Sequence, residues 1–146
     1  MSDTRPPHIL VVDDDPGVRL LIMDMLHNHG AEVTAASNGE EALKAAACAT
    51  FDLCILDINM PKMDGLQACA RMRSQTHTAA LPILFLTMNS DAETVASAFA
   101  AGGSDFLSKP VNAALLWNRA NILIQSAQLK KDVERLKSAL DCMGEK

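Results

Sequence analysis

The sequence predicts an α/β domain, a doubly wound five-stranded parallel sheet followed by an extended C-terminal helix. Three observations predict it. Short apolar runs alternate with helix-period segments along the chain, and a parallel return needs a crossover between each pair of strands. The runs at 9–12, 53–56 and 83–86 are unbroken in apolar residues, as strands buried on both faces require. The last helix-period segment, from Asn112 to Met143, contains neither Gly nor Pro.

The elements follow in order. His8 to Asp13 is a β-branched run that ends in acid. Asp15 then reads as an N-cap and Pro16 as the first helical residue. Val18, Leu21, Ile22, Met25 and Leu26 mark one helix face, and Gly30 stops it. Glu32 to Ala36 is a short strand. Ser37 with Glu40, or Asn38 with Glu41, gives a capping box for an Ala-rich helix reaching about Cys48. Leu53 to Asp57 is the second apolar run ending in acid, and Asp64 opens a helix carrying Leu66, Cys69 and Ala70. Pro82 to Thr87 ends in a hydroxyl. Ser90 and Glu93 form a further capping box before Val95, Ala98 and Phe99, and Gly102-Gly103 ends that helix. Asp105 to Ser108 is the fifth strand, closed by Lys109-Pro110, and Asn112 can cap the last helix.

Composition narrows the function. Hydrophobic residues are 49% and charged residues 21%, which excludes a disordered chain. A net charge of −5 lacks the positive field of nucleic-acid binding, so no direct nucleic-acid contact is expected. No run is long and apolar enough for a membrane span. The N-terminal residues have no apolar signal core, so a cytoplasmic protein is expected. No Cys pair has the Cys-x-x-Cys spacing of a zinc or redox site; Cys54 in an apolar run, and Cys48 and Cys69 in helix-like segments, read as buried small hydrophobes. His27 and His29 read as residues favouring a helix C-terminus rather than a metal.

In such a sheet ligands collect at the carboxyl ends of the strands. There the chain carries Asp13 and Asp14 after the first strand, Asp57 on the third, Thr87 on the fourth and Lys109 after the fifth. Carboxylates held together repel and invite a divalent cation, and oxygen ligands select a hard ion such as Mg²⁺. Such an ion would cancel charge between a phosphoryl donor and an Asp nucleophile. Thr87 and Lys109 would supply a hydroxyl and a point charge to the new phosphoryl oxygens.

With Ile-Leu-Val-Val-Asp-Asp-Asp-Pro at 9–16, Leu-Asp-Ile-Asn-Met-Pro-Lys-Met-Asp-Gly at 56–65, Leu-Thr at 86–87 and Asp-Phe-Leu-Ser-Lys-Pro at 105–110, the sequence resembles the receiver domains of two-component response regulators. The resemblance implies a flavodoxin-like strand order 2-1-3-4-5. It implies Asp57 as phosphoacceptor, charged by a sensor histidine kinase, a phosphotransfer protein or a small donor. Asp14 would bind Mg²⁺ directly, Asp13 mainly through water and Asn59 through its carbonyl, with Asp57 completing the metal set. Thr87 and Lys109 would hold the phosphoryl group and act with Asp57 in the transfer. Thr87 and Phe106 would be the switch pair, and Lys109-Pro110 a cis peptide. The chain would be a signalling domain rather than an enzyme, with autophosphatase activity on its own aspartyl phosphate at most.

Two positions depart from the common family pattern. Met88 stands where a small residue is usual and would crowd the pocket mouth, slowing both phosphorylation by small donors and loss of the phosphoryl group. Phe106 replaces a frequent Tyr and has no hydroxyl for a partner. Asp15 and Asp64-Gly65 read as caps and turns. Asn89 reads equally as an influence on water attack or as a solvated loop residue. The rivals are a dimerisation module independent of phosphate and an Asp-nucleophile phosphohydrolase. The second is disfavoured because Gly17 stands where that motif needs Thr or Val, and because no cap domain fits the length. A calcium loop starting at Asp57 fails, since Pro61 and Ala68 occupy ligand positions.

The expected division is a receiver domain over 1–125 and a linker or coiled-coil helix over 126–146. Leu115, Ile122, Leu129, Leu136 and Met143 repeat every seven residues; Val133 and Leu140 fill the second seam position late, whereas Arg119 and Ser126 occupy it early. Asp132 and Lys137 flank the seam where a parallel partner could pair them. This predicts a homodimer through the helix. A downstream effector domain is a further expected partner, with the chain either a stand-alone regulator or the first part of a longer protein.

Overall fold

A computed structural model describes residues 5–144, so the outer ends of the two expected segments, 1–4 and 145–146, lie outside the described residues. Ten elements alternate: β1 (His8–Val12), α1 (Pro16–His27), β2 (Glu32–Ala36), α2 (Gly39–Cys48), β3 (Leu53–Asp57), α3 (Gly65–Arg73), β4 (Ile83–Thr87), α4 (Ala92–Ala100), β5 (Asp105–Ser108) and α5 (Ala113–Gly144). All neighbouring strands pair in parallel, in the order β2-β1-β3-β4-β5. The chain reverses its direction of winding beside β1 and β3, the place where such sheets open a crevice.

Each sheet face carries its own core. Leu10, Val12, Cys54, Leu56, Ile83 and Phe85 meet α2, α3 and α4 on one side. Ile9, Val11, Leu53, Ile55, Leu84 and Leu86 meet α1 and α5 on the other. Alternation along each strand sends successive side chains to opposite faces, so both must be apolar.

Caps set the helix starts. The Asp15 carboxylate accepts from the Gly17 and Val18 amides, with Pro16 in the first turn. Asp64 accepts from Gln67, whose side chain returns to the Asp64 amide. At α2 the cap is Asn38, but Glu41 reaches one residue further back, to the amide and hydroxyl of Ser37. At α4 the expected Ser90–Glu93 box is not formed. Asp91 is the cap and accepts from Thr94, because its carboxylate is the better acceptor one residue later. Asn112 caps α5 through the Leu115 amide.

Two burial expectations fail. Leu21 is 51% exposed; Ile22 and Leu26 carry the buried face of α1, and Leu21 points about 100° round from Ile22. Cys48 is exposed while Cys54 and Cys69 are buried. Ala42 and Ala46 define the inner face of α2, and two residues further on Cys48 has turned to the outside.

Gly65 has a steric role. A Cβ there would stand 2.2 Å from the Asp57 carbonyl oxygen, so only glycine lets α3 start against the end of β3. The α5 helix is continuous over 32 residues, about 48 Å. Leu116 and Ala120 are buried against the sheet face, and Trp117, Leu123 and Ile124 are packed beside them. The Trp117 ring also stacks on His29 at 4.6 Å, a contact that no local pattern around His29 announces. From Leu129 onward the apolar residues of the heptads are exposed.

Candidate functional site

The carboxyl edge of the sheet brings together residues that are far apart in the chain. Asp57 ends β3, Thr87 ends β4, Asp13 follows β1, and Lys109 follows β5. Asp13, Asp57 and Thr87 are buried, whereas Asp14 and Asn59 are exposed at the rim. Lys109 Nζ lies 2.9 Å from Asp13 Oδ2 and 3.3 Å from Asp57 Oδ1. The carboxylate oxygens of Asp13, Asp14 and Asp57 can all lie within 4.8 Å of one another. The Lys109-Pro110 peptide is cis.

Local bonds hold this geometry. Asp13 Oδ1 accepts from the Asp15 amide at 2.9 Å. Arg19 Nη1 donates to the Asp13 carbonyl at 2.7 Å, fixing the backbone where β1 turns into α1. The Asn59 amide donates to Asp57 Oδ1 at 3.3 Å. Sequence reasoning missed Arg19; its position one turn into α1, facing back towards the end of β1, was the available signal.

Electrostatics oppose a charged Asp57. Burial, and next the nearby Asp13 charge, push its carboxyl up to about 6, with Lys109 and the Asn59 amide pulling back. Burial pulls the Lys109 ammonium down, but Asp13 and Asp57 outweigh it and hold Lys109 above its ordinary value. The site is therefore short of positive charge.

The donor set fits a hard divalent cation. Three carboxylates offer oxygens to one point. Asp13 Oδ2 is fully buried and faces the Lys109 ammonium at 2.9 Å, which Asp57 shares. A carboxylate oxygen has more than one acceptor position, so one shared ammonium leaves room for a metal ion or a metal-bound water.

The Thr87 hydroxyl donates to the Asn89 carbonyl at 2.7 Å and accepts from the Asn89 amide at 3.0 Å. It is thus turned into the β4–α4 loop. Phe106 is half-buried, with Phe99 edge-on to it at 6.3 Å. Met88 is 72% exposed, so any crowding acts at the rim and not inside the pocket.

Comparison with known proteins gives the family and the fold. A family model described as the response regulator receiver domain matches residues 9–121. The sensor histidine kinase GacS of Pseudomonas protegens is 39% identical over 112 residues, covering 75% of this chain and 12% of that protein. The alkaline phosphatase synthesis transcriptional regulatory protein PhoP of Bacillus subtilis is 36% identical over 131 residues, 85% of this chain and 54% of that one. The chain thus spans from about an eighth to about half of these relatives. Among solved structures, the chemotaxis protein CheY4 of Vibrio cholerae superposes with a TM-score of 0.78 at 34% identity, covering 81% of this chain and 98% of that one. NtrX of Brucella abortus superposes at 0.83 with 31% identity, covering 90% of this chain and 29% of that one.

Proposed function

The chain belongs to the response regulator receiver family, and on that premise we propose that it is a phosphorylation-controlled switch with Asp57 as its phosphoacceptor. One observation carries the reading: the Lys109 ammonium bridges the buried carboxylates of Asp13 and Asp57 at the carboxyl edge of the sheet. In the transfer an Asp57 oxygen attacks the phosphorus of a phosphohistidine or acyl phosphate, and the bond to the leaving group breaks with its electron pair. The burial of Asp57 keeps competing water from most of its surface. Lys109 and the Thr87 hydroxyl are the donors available to the added oxygens.

Asp13, Asp14, Asp57 and the Asn59 carbonyl would hold Mg²⁺. Bound there, the ion would supply the positive charge that offsets the acids and the incoming phosphoryl group. Phe106, beside the exposed ring of Phe99, is proposed to relay the position of Thr87 to the outer face.

The domain division we propose is a receiver over 1–125 and a projecting helix over 126–146. The exposed stripe from Leu129 to Met143 supports a parallel homodimer along that helix, with a kinase or phosphotransfer protein upstream and an effector downstream. Among the described residues no helix is long and apolar enough to cross a membrane; a cytoplasmic setting belongs to the same proposal, and the lack of direct nucleic-acid binding accords with the net charge of −5. Autophosphatase activity belongs to the same proposal.

The test is acetyl phosphate labelling with Mg²⁺, read by intact mass. The wild type should gain one phosphoryl group and Asp57→Asn none. Equal labelling of both proteins would remove Asp57 from the role. Association measured with and without beryllofluoride and Mg²⁺ tests the output, and identical association would count against a phosphorylation-controlled dimer.

A further inference from the structure

The β4–α4 loop is tied to helix α4 through the side chains of Asn89 and Asp91. Asn89 holds the Thr87 hydroxyl with its backbone, accepting at 2.7 Å and donating at 3.0 Å. Its side chain holds Asp91 at both ends: Nδ2 donates to Asp91 Oδ2 at 3.1 Å, and Oδ1 accepts from the Asp91 amide at 3.1 Å. Asp91 is in turn the N-cap of α4; its other carboxylate oxygen accepts from Thr94 at 2.8 Å and its carbonyl accepts from Val95 at 3.0 Å. Thr87, Asn89, Asp91 and the first turn of α4 thus form one hydrogen-bonded chain.

A hydroxyl has one proton to donate. For Thr87 to donate to a phosphoryl oxygen on Asp57, it must leave the Asn89 carbonyl, and the loop must find new partners. With the Asn89 amide clamped on Asp91, the loop can shift only by disturbing the cap of α4 or by breaking the clamp. We infer that Asn89 is a positioning residue: its side chain holds Thr87 turned away from Asp57 and makes the turning of Thr87 felt at the first turn of α4. The inference rests on the reading of Asp57 as acceptor.

Two opposite consequences separate this role from a merely structural one. Asn89→Ala frees the loop, so the phosphoryl state should form more easily while its signal to α4 is lost. Asp91→Asn keeps an oxygen for the Thr94 cap but turns an NH₂ donor toward Asn89 Nδ2, so it should open the clamp as Asn89→Ala does while α4 stays capped.

The experiment titrates beryllofluoride in excess Mg²⁺ into the full chain and follows hydrogen exchange at the Thr94 and Val95 amides. In the wild type, binding should change that exchange. In Asn89→Ala, exchange should be fast without ligand and change little on binding, and the apparent affinity should rise about three- to tenfold, as expected for two solvent-exposed hydrogen bonds, one of them to the Asp91 carboxylate, no longer opposing the change. Unchanged or weaker affinity in Asn89→Ala, or an intact exchange response, overturns the inference. Should the wild type itself bind no beryllofluoride, the underlying reading of Asp57 fails instead, so the two failures are distinguishable. Asn89 lies in an exposed loop and buries no apolar surface, so the variant should fold.

Discussion

The Lys109 ammonium stands 3.3 Å from the Asp57 carboxylate, although one follows β5 and the other ends β3. It stands nearer still, at 2.9 Å, to Asp13, so a single cation offsets two buried acids.

Removing that cation should therefore be costly. Lys109→Met leaves the buried Asp13 and Asp57 without the cation they share, and at pH 8 without metal it should lower stability by about 2–4 kcal/mol. The loss should shrink at pH 5, where Asp57 takes up a proton. Urea unfolding at the two pH values checks this; a loss that is the same at both would show that the charge of Asp57 is not involved. Acetyl phosphate labelling of the variant should also fall at least about tenfold.

Asp57→Asn should have the opposite effect on stability. The folded carboxyl titrates at about 6, above its ordinary 3.8, so between these values the folded state binds more protons than the unfolded one. Stability therefore rises as pH falls through 6, and the penalty is fully present above it. At pH 8 without metal, Asp57→Asn should raise stability by about 1–3 kcal/mol, and the gain should vanish near pH 4. Mg²⁺ should stabilise the wild type at pH 8 more than the variant. Thermal melts across pH, with and without Mg²⁺, provide the measurement.

The same carboxyl must be ionised to attack phosphorus. The labelling rate with acetyl phosphate should fall as pH drops below about 6. Raising Mg²⁺ should move that fall to lower pH, because a bound cation favours the carboxylate. A profile that ignores Mg²⁺ would argue against metal binding beside Asp57.

Met88→Ala should raise both the labelling rate and the rate of phosphoryl loss if the exposed side chain next to Thr87 crowds the mouth of the site. If neither rate changes, Met88 has no part in access to the site.

Leu136→Asp puts a charge in the exposed stripe of α5, far from the sheet. The wild type should sediment as a dimer and the variant as a monomer, with the receiver's melting temperature shifted by no more than about 2 °C. A dimeric variant would move the interface to another surface.

Much was legible in the sequence because much is local. Unbroken apolar runs specify doubly buried strands, and Asp15, Asp64 and Asn112 announce their helices through bonds to amides two or three residues away. The convergence of Asp13, Asp57, Thr87 and Lys109 follows from strand ends alone, since a parallel sheet puts them all at one edge. Where neighbouring residues can both cap, the pattern misleads: the sequence points to Ser90 with Glu93, whereas Asp91 caps α4.

What the tertiary structure decided are the relationships between elements. Gly65 looked like a turn residue, but it is needed because α3 begins against the backbone of Asp57. His29 looked like a helix terminator, yet its ring lies on Trp117 of α5. The direction of the Thr87 hydroxyl, and the clamp that Asn89 closes on Asp91, depend on loop dihedrals that no periodicity encodes. Chain pattern determines which residues reach a common edge, because side-chain alternation and helix pitch repeat regularly. The bonds those residues make there are chosen by packing between distant segments, which competes over tenths of an ångström and has no period to read.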